Sequence, residues 1–230
     1  VCTIVDDAST DGEQEVIKKY LEEHFDLEDK SIVRNEETED YTLTFTRHKT
    51  NTNCYFAVLF LKYNHYSIKK DKMPYIAEWH ENCKYIALCE GDDYWIDGKK
   101  LQKQVDFMET NPDYSMCFHN AFISIVKEGE RCAEIFNSEN NEYDLTFEEA
   151  IKKWHVPTAS MLMRKDAREN YPSYIKKIYS GDITLILVLC LRGRVRYLNE
   201  IMGVYRKVSG SNSVSQSIKK SFYFKQMSIL

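Results

Sequence analysis

The chain has 230 residues, of which 43% are hydrophobic and 29% charged, and its 31 basic against 36 acidic side chains leave a formal charge of −5. That size and balance suit one globular domain with a modest appendage, and they exclude disordered, collagen-like and coiled-coil classes as well as a general nucleic-acid binder, which needs clustered cations. Seven cysteines without a CxxC pair exclude a zinc ribbon or a disulfide framework and fit reduced thiols in a cytoplasmic protein, while the longest apolar stretches, 54–61 and 183–191, fall far short of the ~20 residues that span a bilayer.

Residues 1–5 read as a buried strand that runs directly into a polar loop, Asp6-Asp7-Ala8-Ser9-Thr10-Asp11-Gly12, and then into a helix with Val16, Ile17, Tyr20 and Leu21 on one face. A strand at residue 1, with Val in place of Met, is expected to begin inside a domain. A short strand is expected over 31–34, and the acidic stretch 35–40 reads as a solvated loop. Residues 42–47 alternate like an edge strand. Residues 53–66 are apolar enough for a helix, although periodicity alone does not separate helix from strand there.

Residues 84–89 form a compact apolar run ending in Glu90-Gly91-Asp92-Asp93-Tyr94-Trp95, with Asp97 at the N-cap position of a helix over 99–109. One or two strands follow over 114–125, with His119 inside as an interior histidine. A polar surface excursion is expected over 127–143. Thr146 and Glu149 have capping-box spacing for a helix through Trp154. Another strand is expected over 157–164, a helix over 183–191 opened by Ser180-Gly181-Asp182, and two short strands over 195–198 and 201–206. Strands alternating with helices predict an α/β sheet, in which ligands bind beyond the carboxyl ends of the strands.

Two strand ends carry paired acids, Asp6/Asp7 and Asp92/Asp93, and Glu90 stands two positions before Asp92. Hard cations such as Mg²⁺ and Mn²⁺ prefer oxygen ligands, commonly one or two carboxylates together with substrate phosphates, and Gly91 allows the tight turn that such a loop needs. Helix capping accounts for one of these aspartates but not for three acids beside a glycine. For Asp6/Asp7 a loop and N-cap remains an equal reading, and Asp182 can equally serve as an N-cap. Trp95 adjoins the acidic loop and offers a ring face for a sugar.

In combination these segments resemble the family 2 glycosyltransferases of GT-A fold. The likeness is carried by Val5 to Gly12, by Tyr85 to Trp95 with its DxD-type loop, by the helix 101–108, and in the same order by Pro157-Thr158-Ala159-Ser160, Ser180-Gly181-Asp182 and Met202-Gly203-Val204-Tyr205-Arg206. It covers nearly the whole chain. Glu90 replaces the first aspartate of the DxD pattern. Val208 stands where relatives carry a histidine, and the family's opening strand, a neighbour of the strand at 1–5, is absent before Val1. The domain is thus expected to run over 1–210 without that strand, leaving an open sheet edge, with a tail or helix over 211–230.

The resemblance implies a mixed, Rossmann-like α/β sheet and an inverting transfer of a sugar from a nucleotide diphosphate donor, UDP-linked, to a hydroxyl of a saccharide or lipid-linked saccharide. It implies synthesis of a cell-surface polysaccharide or glycolipid at the cytoplasmic face of a membrane; the tail 217–230, which mixes Lys219, Lys220 and Lys225 with Phe222, Tyr223 and Phe224, reads by composition equally as a peripheral membrane contact or a packed terminal helix. Asp6 or Asp7 would contact the nucleoside. Asp92 and Asp93, with Glu90 and Gly91, would hold a divalent cation, Mn²⁺ or Mg²⁺, across the diphosphate. Asp182 would be the catalytic base and Arg206 would steady the phosphates. The acids at Asp6, Asp92 and Asp182 are expected to face one cleft. The alternative is a non-catalytic piece of such an enzyme.

Overall fold

The structure is a computed structural model describing residues 1–127, 130–168 and 181–207, and the chain divides into two units, Val1–Cys83 and Lys84–Leu230. Both are mixed α/β: each has a sheet with parallel and antiparallel pairs, flanked by helices.

The first unit contains β1 (Cys2–Asp6), α1 (Glu13–His24), β2 (Phe25–Asp26), β3 (Arg34–Glu37), β4 (Tyr41–His48), β5 (Tyr55–Leu61) and α2 (Met73–His80). The sheet order is β1-β5-β4-β2, with β3 also on β4. β5 settles the ambiguity of the apolar run 53–66. Val58, with Phe56 and Phe60, packs with Leu21 and Phe25 on the α1 side, whereas Ala57 and Leu59 pack with Leu43, Tyr75, Ile76 and Trp79 on the α2 side. Successive residues therefore enter two different cores, which requires the two-residue period of a strand, and a strand covered on both faces has no polar positions to show.

Three expectations are corrected in this unit. The short strand expected over 31–34 starts only at Arg34, because residues 31–33 are taken up by a turn in which the Ile32 and Val33 N–H groups donate to Asp29 O. The acidic stretch 35–40 is a loop only over 38–40: Arg34–Glu37 pairs antiparallel with β4, and ion pairs of Arg34 with Glu36 and Glu78 and of Lys62 with Glu37 offset its charge. β4 is an interior strand, with β5 on one side and β2 and β3 on the other. Among the described residues β1 pairs with β5 alone, in parallel.

The second unit contains β6 (Tyr85–Ala87), β7 (Tyr94–Trp95), α3 (Lys100–Thr110), β8 (Tyr114–Lys127), β9 (Glu130–Ile135), β10 (Tyr143–Asp144), α4 (Phe147–Lys152), a 3₁₀ turn (Thr158–Ser160), β11 (Leu162–Arg164), α5 (Lys165–Arg168), α6 (Gly181–Arg192) and β12 (Arg194–Lys207). Its spine is the long parallel pair β8 and β12. β8 is flanked by β11 and β9, β12 by β10 and β7. Met108 of α3 closes a core with Tyr114, Cys117, Leu162, Leu198 and Met202. α6 is buried at every position from Ile183 to Leu189, as an all-apolar helix must be.

The segments 195–198 and 201–206 form one strand whose register shifts between Leu198 and Ile201. The excursion 127–143 contains β9, paired back onto β8, and the expected strand 157–164 opens with the 3₁₀ turn. The N-cap of α3 is Lys99 rather than Asp97, whose carboxylate accepts from the Lys99 N–H at 2.7 Å. The capping box at Thr146 and Glu149 is present with both hydrogen bonds, and its helix ends at Lys152, before Trp154. Gly193 joins α6 to β12 so closely against β8 that a Cβ there would lie 2.9 Å from both Asp113 O and Ser115 N. All seven cysteines are free thiols, and no helix among the described residues is long and apolar enough to cross a membrane. Ser180, Val208 and the tail 211–230 lie outside the described residues.

Candidate metal centre

The acidic loop leaves β6 and closes as a turn in which the Asp93 N–H donates to the Glu90 carbonyl at 3.0 Å, with Gly91 and Asp92 at the two central positions. β7 then pins the loop to β12: Tyr94 and Trp95 pair with Val204 and Gly203, and the Ile96 N–H donates to Met202 O at 3.0 Å. The result places carboxylate oxygens of Glu90, Asp92 and Asp93 within 4.8 Å of one another. Glu90, Gly91 and Asp92 are exposed, whereas Asp93 is buried. Asp93 Oδ1 accepts from the Arg206 backbone N–H at 2.9 Å, and the Arg206 Nε–H donates to the Asp92 carbonyl. Asp93 Oδ2 is buried without a hydrogen-bond partner among the described residues.

Crowded carboxylates raise one another's proton affinity. Glu90 is pushed up to about 7, first by desolvation and then by the charges of Asp93, Asp92 and Asp182, while the Thr158 hydroxyl acts in the other direction. Asp93 is pushed up to about 6, first by burial; the Arg206 N–H acts in the other direction, and the charge of Asp92 adds to the rise. Asp182 lies in the first turn of α6, where its Oδ1 accepts from the Ile183 N–H at 2.9 Å. It therefore does the work of a cap, and its charge also reaches Glu90. The donor set is all carboxylate oxygen, and one of these oxygens is buried and unpartnered; both features fit a hard divalent cation, which would supply the positive charge that the loop lacks.

Of the residues expected to form the site, the second unit thus brings together Glu90, Gly91, Asp92, Asp93 and Arg206, and the charge of Asp182 reaches Glu90. Asp6 and Asp7 belong to the first unit and differ sharply. Asp7 is a clamp: its oxygens accept from the His65 N–H at 2.7 Å, the Tyr66 N–H at 3.1 Å and the Lys72 ammonium at 3.0 Å. Desolvation works against its ionisation, but these donors outweigh it and hold the carboxyl below its ordinary value. Asp6 is buried with Oδ1 taken by the Ser9 N–H and the Gln14 amide, and its Oδ2 has no partner among the described residues. Of the pair, Asp6 is the one with an atom left for a ligand.

Two side chains have roles that sequence reasoning missed. Thr158, quoted only as part of a motif, reaches Glu90. Trp95, expected as a sugar platform, is turned to structural use: its indole N–H donates to Ala159 O at 2.8 Å and one ring face is covered by the Lys100 ammonium, 3.9 Å from the centroid. The only signal for either was proximity to a motif. His119 is fully buried, as an interior histidine should be, with Nδ1 on Asn120 O at 2.7 Å.

No protein-family model matches the chain. It is 32% identical over 124 residues to uncharacterized proteins of Mycobacterium bovis and of two strains of Mycobacterium tuberculosis, a match covering 54% of this chain and 35% of each relative. The aligned part of the chain thus spans about a third of the length of the curated relatives it matches.

Proposed function

We propose that the chain is a catalytic region of an inverting, divalent-cation-dependent glycosyltransferase of GT-A fold, which moves a sugar from a nucleotide diphosphate donor, UDP-linked, to a hydroxyl of a saccharide or lipid-linked saccharide. The observation that carries the reading is the gathering of Glu90, Asp92 and Asp93 carboxylate oxygens within 4.8 Å of one another, with the charge of Asp182, from the start of α6, reaching Glu90. One carboxylate is thereby available for proton transfer beside a group of carboxylates suited to a cation.

In this reading Asp182 accepts the acceptor hydroxyl's proton as that oxygen bonds to the anomeric carbon. The bond from the same carbon to the diphosphate oxygen breaks, and the nucleoside diphosphate leaves with the electron pair. Attack from the opposite face inverts the centre. Asp92 and Asp93, with Glu90 beside them, are the residues that would hold the cation. When bound, it neutralises charge on the diphosphate. The exposed Arg206 side chain, tethered through Nε, offers a guanidinium to phosphate oxygens. In the first unit, Asp6 would accept from a uracil N–H or a ribose hydroxyl through its unpartnered oxygen.

A screen of nucleotide sugars for donor hydrolysis, with Mn²⁺ and with Mg²⁺, tests the proposal. The expected result is cation-dependent release of nucleoside diphosphate from one donor, abolished by Asp92→Asn. A folded protein that releases none from any donor would be a non-catalytic piece instead.

A further inference from the structure

Trp95 touches two of the segments around the acidic loop, the 3₁₀ turn and β12. Its indole N–H bonds Ala159, the middle residue of the 3₁₀ turn whose first residue, Thr158, favours the charged form of Glu90. Its backbone pairs with Gly203 of β12, the strand whose Arg206 N–H holds Asp93. A Cβ at Gly203 would press on His119 Cε1 at 3.3 Å and touch Tyr94 O at 3.4 Å, with the indole Cδ1 at an ordinary contact distance of 3.8 Å. The Lys100 ammonium, on a side chain only 1% exposed, sits over the ring with no hydrogen-bond partner among the described residues.

An ammonium in that place is poorly solvated, and desolvation pulls Lys100 down to about 8. The electron-rich ring face is the compensation the structure offers it, and in return the cation restrains the ring's tilt. One side chain therefore links the support of Glu90 to the support of Asp93, and its orientation is fixed from three directions.

Building on the metal reading above, we infer that Trp95 is a positioning residue for the cation: its indole N–H bond to Ala159, with Lys100 against the ring face, sets the spacing of Glu90 from Asp93. Removal of a hydrogen-bond partner that orients metal ligands typically weakens metal affinity 10- to 100-fold.

Trp95→Phe keeps a ring over Lys100 and deletes the N–H. Mn²⁺ titration and thermal unfolding of wild type, Trp95→Phe and Asp92→Asn are measured together with indole ¹H–¹⁵N spectra of the wild type during Mg²⁺ titration. The expected result is a Trp95→Phe protein folded at the titration temperature with a Mn²⁺ dissociation constant raised at least about 10-fold. The Trp95 indole resonance, assigned in the wild type by through-space connectivities, is expected to shift in step with Mg²⁺ occupancy. Equal Mn²⁺ affinity in wild type and Trp95→Phe would overturn the positioning role and leave the metal reading standing. Absence of saturable wild-type binding that Asp92→Asn removes would overturn both. If Trp95→Phe does not fold, an indole resonance unmoved at Mg²⁺ saturation overturns the inference and a shift that tracks occupancy supports it.

Discussion

The backbone N–H of Arg206 donates to Asp93 Oδ1 at 2.9 Å, joining positions 113 apart in the chain. This bond makes the end of β12 a wall of the acidic loop and divides the labour of one carboxylate: Oδ1 holds the backbone, and Oδ2 remains for a ligand.

Asp93→Ala strands the Arg206 N–H and is expected to cost about 1–3 kcal/mol of stability. Asp93→Asn keeps an acceptor for that N–H, so its unfolding midpoint should stay close to wild type while Mn²⁺ binding falls. Urea unfolding and Mn²⁺ titration of the two variants check the division. Equal Mn²⁺ affinity in Asp93→Asn would remove Oδ2 from the ligand set.

Cation binding should depend on pH in a definite direction. With Glu90 near 7 and Asp93 near 6, a cation competes with protons, so Mn²⁺ affinity should rise from about pH 5 to about pH 8 and then level off. Without the cation the sign reverses for stability. The fold holds Glu90's proton more tightly than the unfolded chain does, so its contribution is favourable below 4.5 and is lost as pH rises through about 7. Both trends should shrink in Glu90→Gln, as isothermal titration and thermal melts at stepped pH would read.

Asp182→Asn keeps the side chain's size and an oxygen for the Ile183 N–H, so fold and nucleotide diphosphate affinity should survive. Transfer should fall by about 10²–10⁴-fold, the usual loss with a general base. Measuring affinity and transfer rate on one preparation separates the roles. Unchanged transfer would leave Asp182 as a cap alone.

Lys100→Met retains an unbranched stem beside Trp95 and removes the buried charge. Because the folded amine titrates near 8, below its ordinary 10.5, the wild-type fold is penalised below pH 8 and relieved as pH rises toward 10.5. The variant should be more stable near neutrality by about 1–3 kcal/mol, with the difference closing at high pH. Urea midpoints at pH 7 and pH 10 test this, and a constant difference would assign the effect to packing.

Legibility in the sequence followed the range of the interactions. The acidic turn, the Thr146 capping box and the helices after Gly12, Asp97 and Gly181 rest on contacts within a few residues, and they stand close to where local pattern puts them. β5 was ambiguous because burial on both faces erases the polar half of the alternation. β3 was hidden because its acids are balanced by Arg34 and Lys62, partners that charge patterning does not reveal. Asp7 and Asp6 are adjacent and chemically identical; only the fold of 62–72 around Asp7 distinguishes clamp from free ligand. Thr158 and Trp95 escaped for the same reason, since their partners lie far along the chain.

Gly193 behaves as a fulcrum. From it α6 runs back past Asp182 to Gly181, twelve residues of helix, which is about 18 Å at 1.5 Å per residue, and β12 runs forward to Arg206. A rotation of about 5° at that junction would move the far end of α6 by about 1.5 Å, enough to take a base out of hydrogen-bonding reach of a bound hydroxyl. Any side chain at 193 must push against Asp113 and Ser115 backbone atoms. A methyl group placed there would thus be felt as lost alignment at the opposite end of the helix, with the acidic residues themselves untouched.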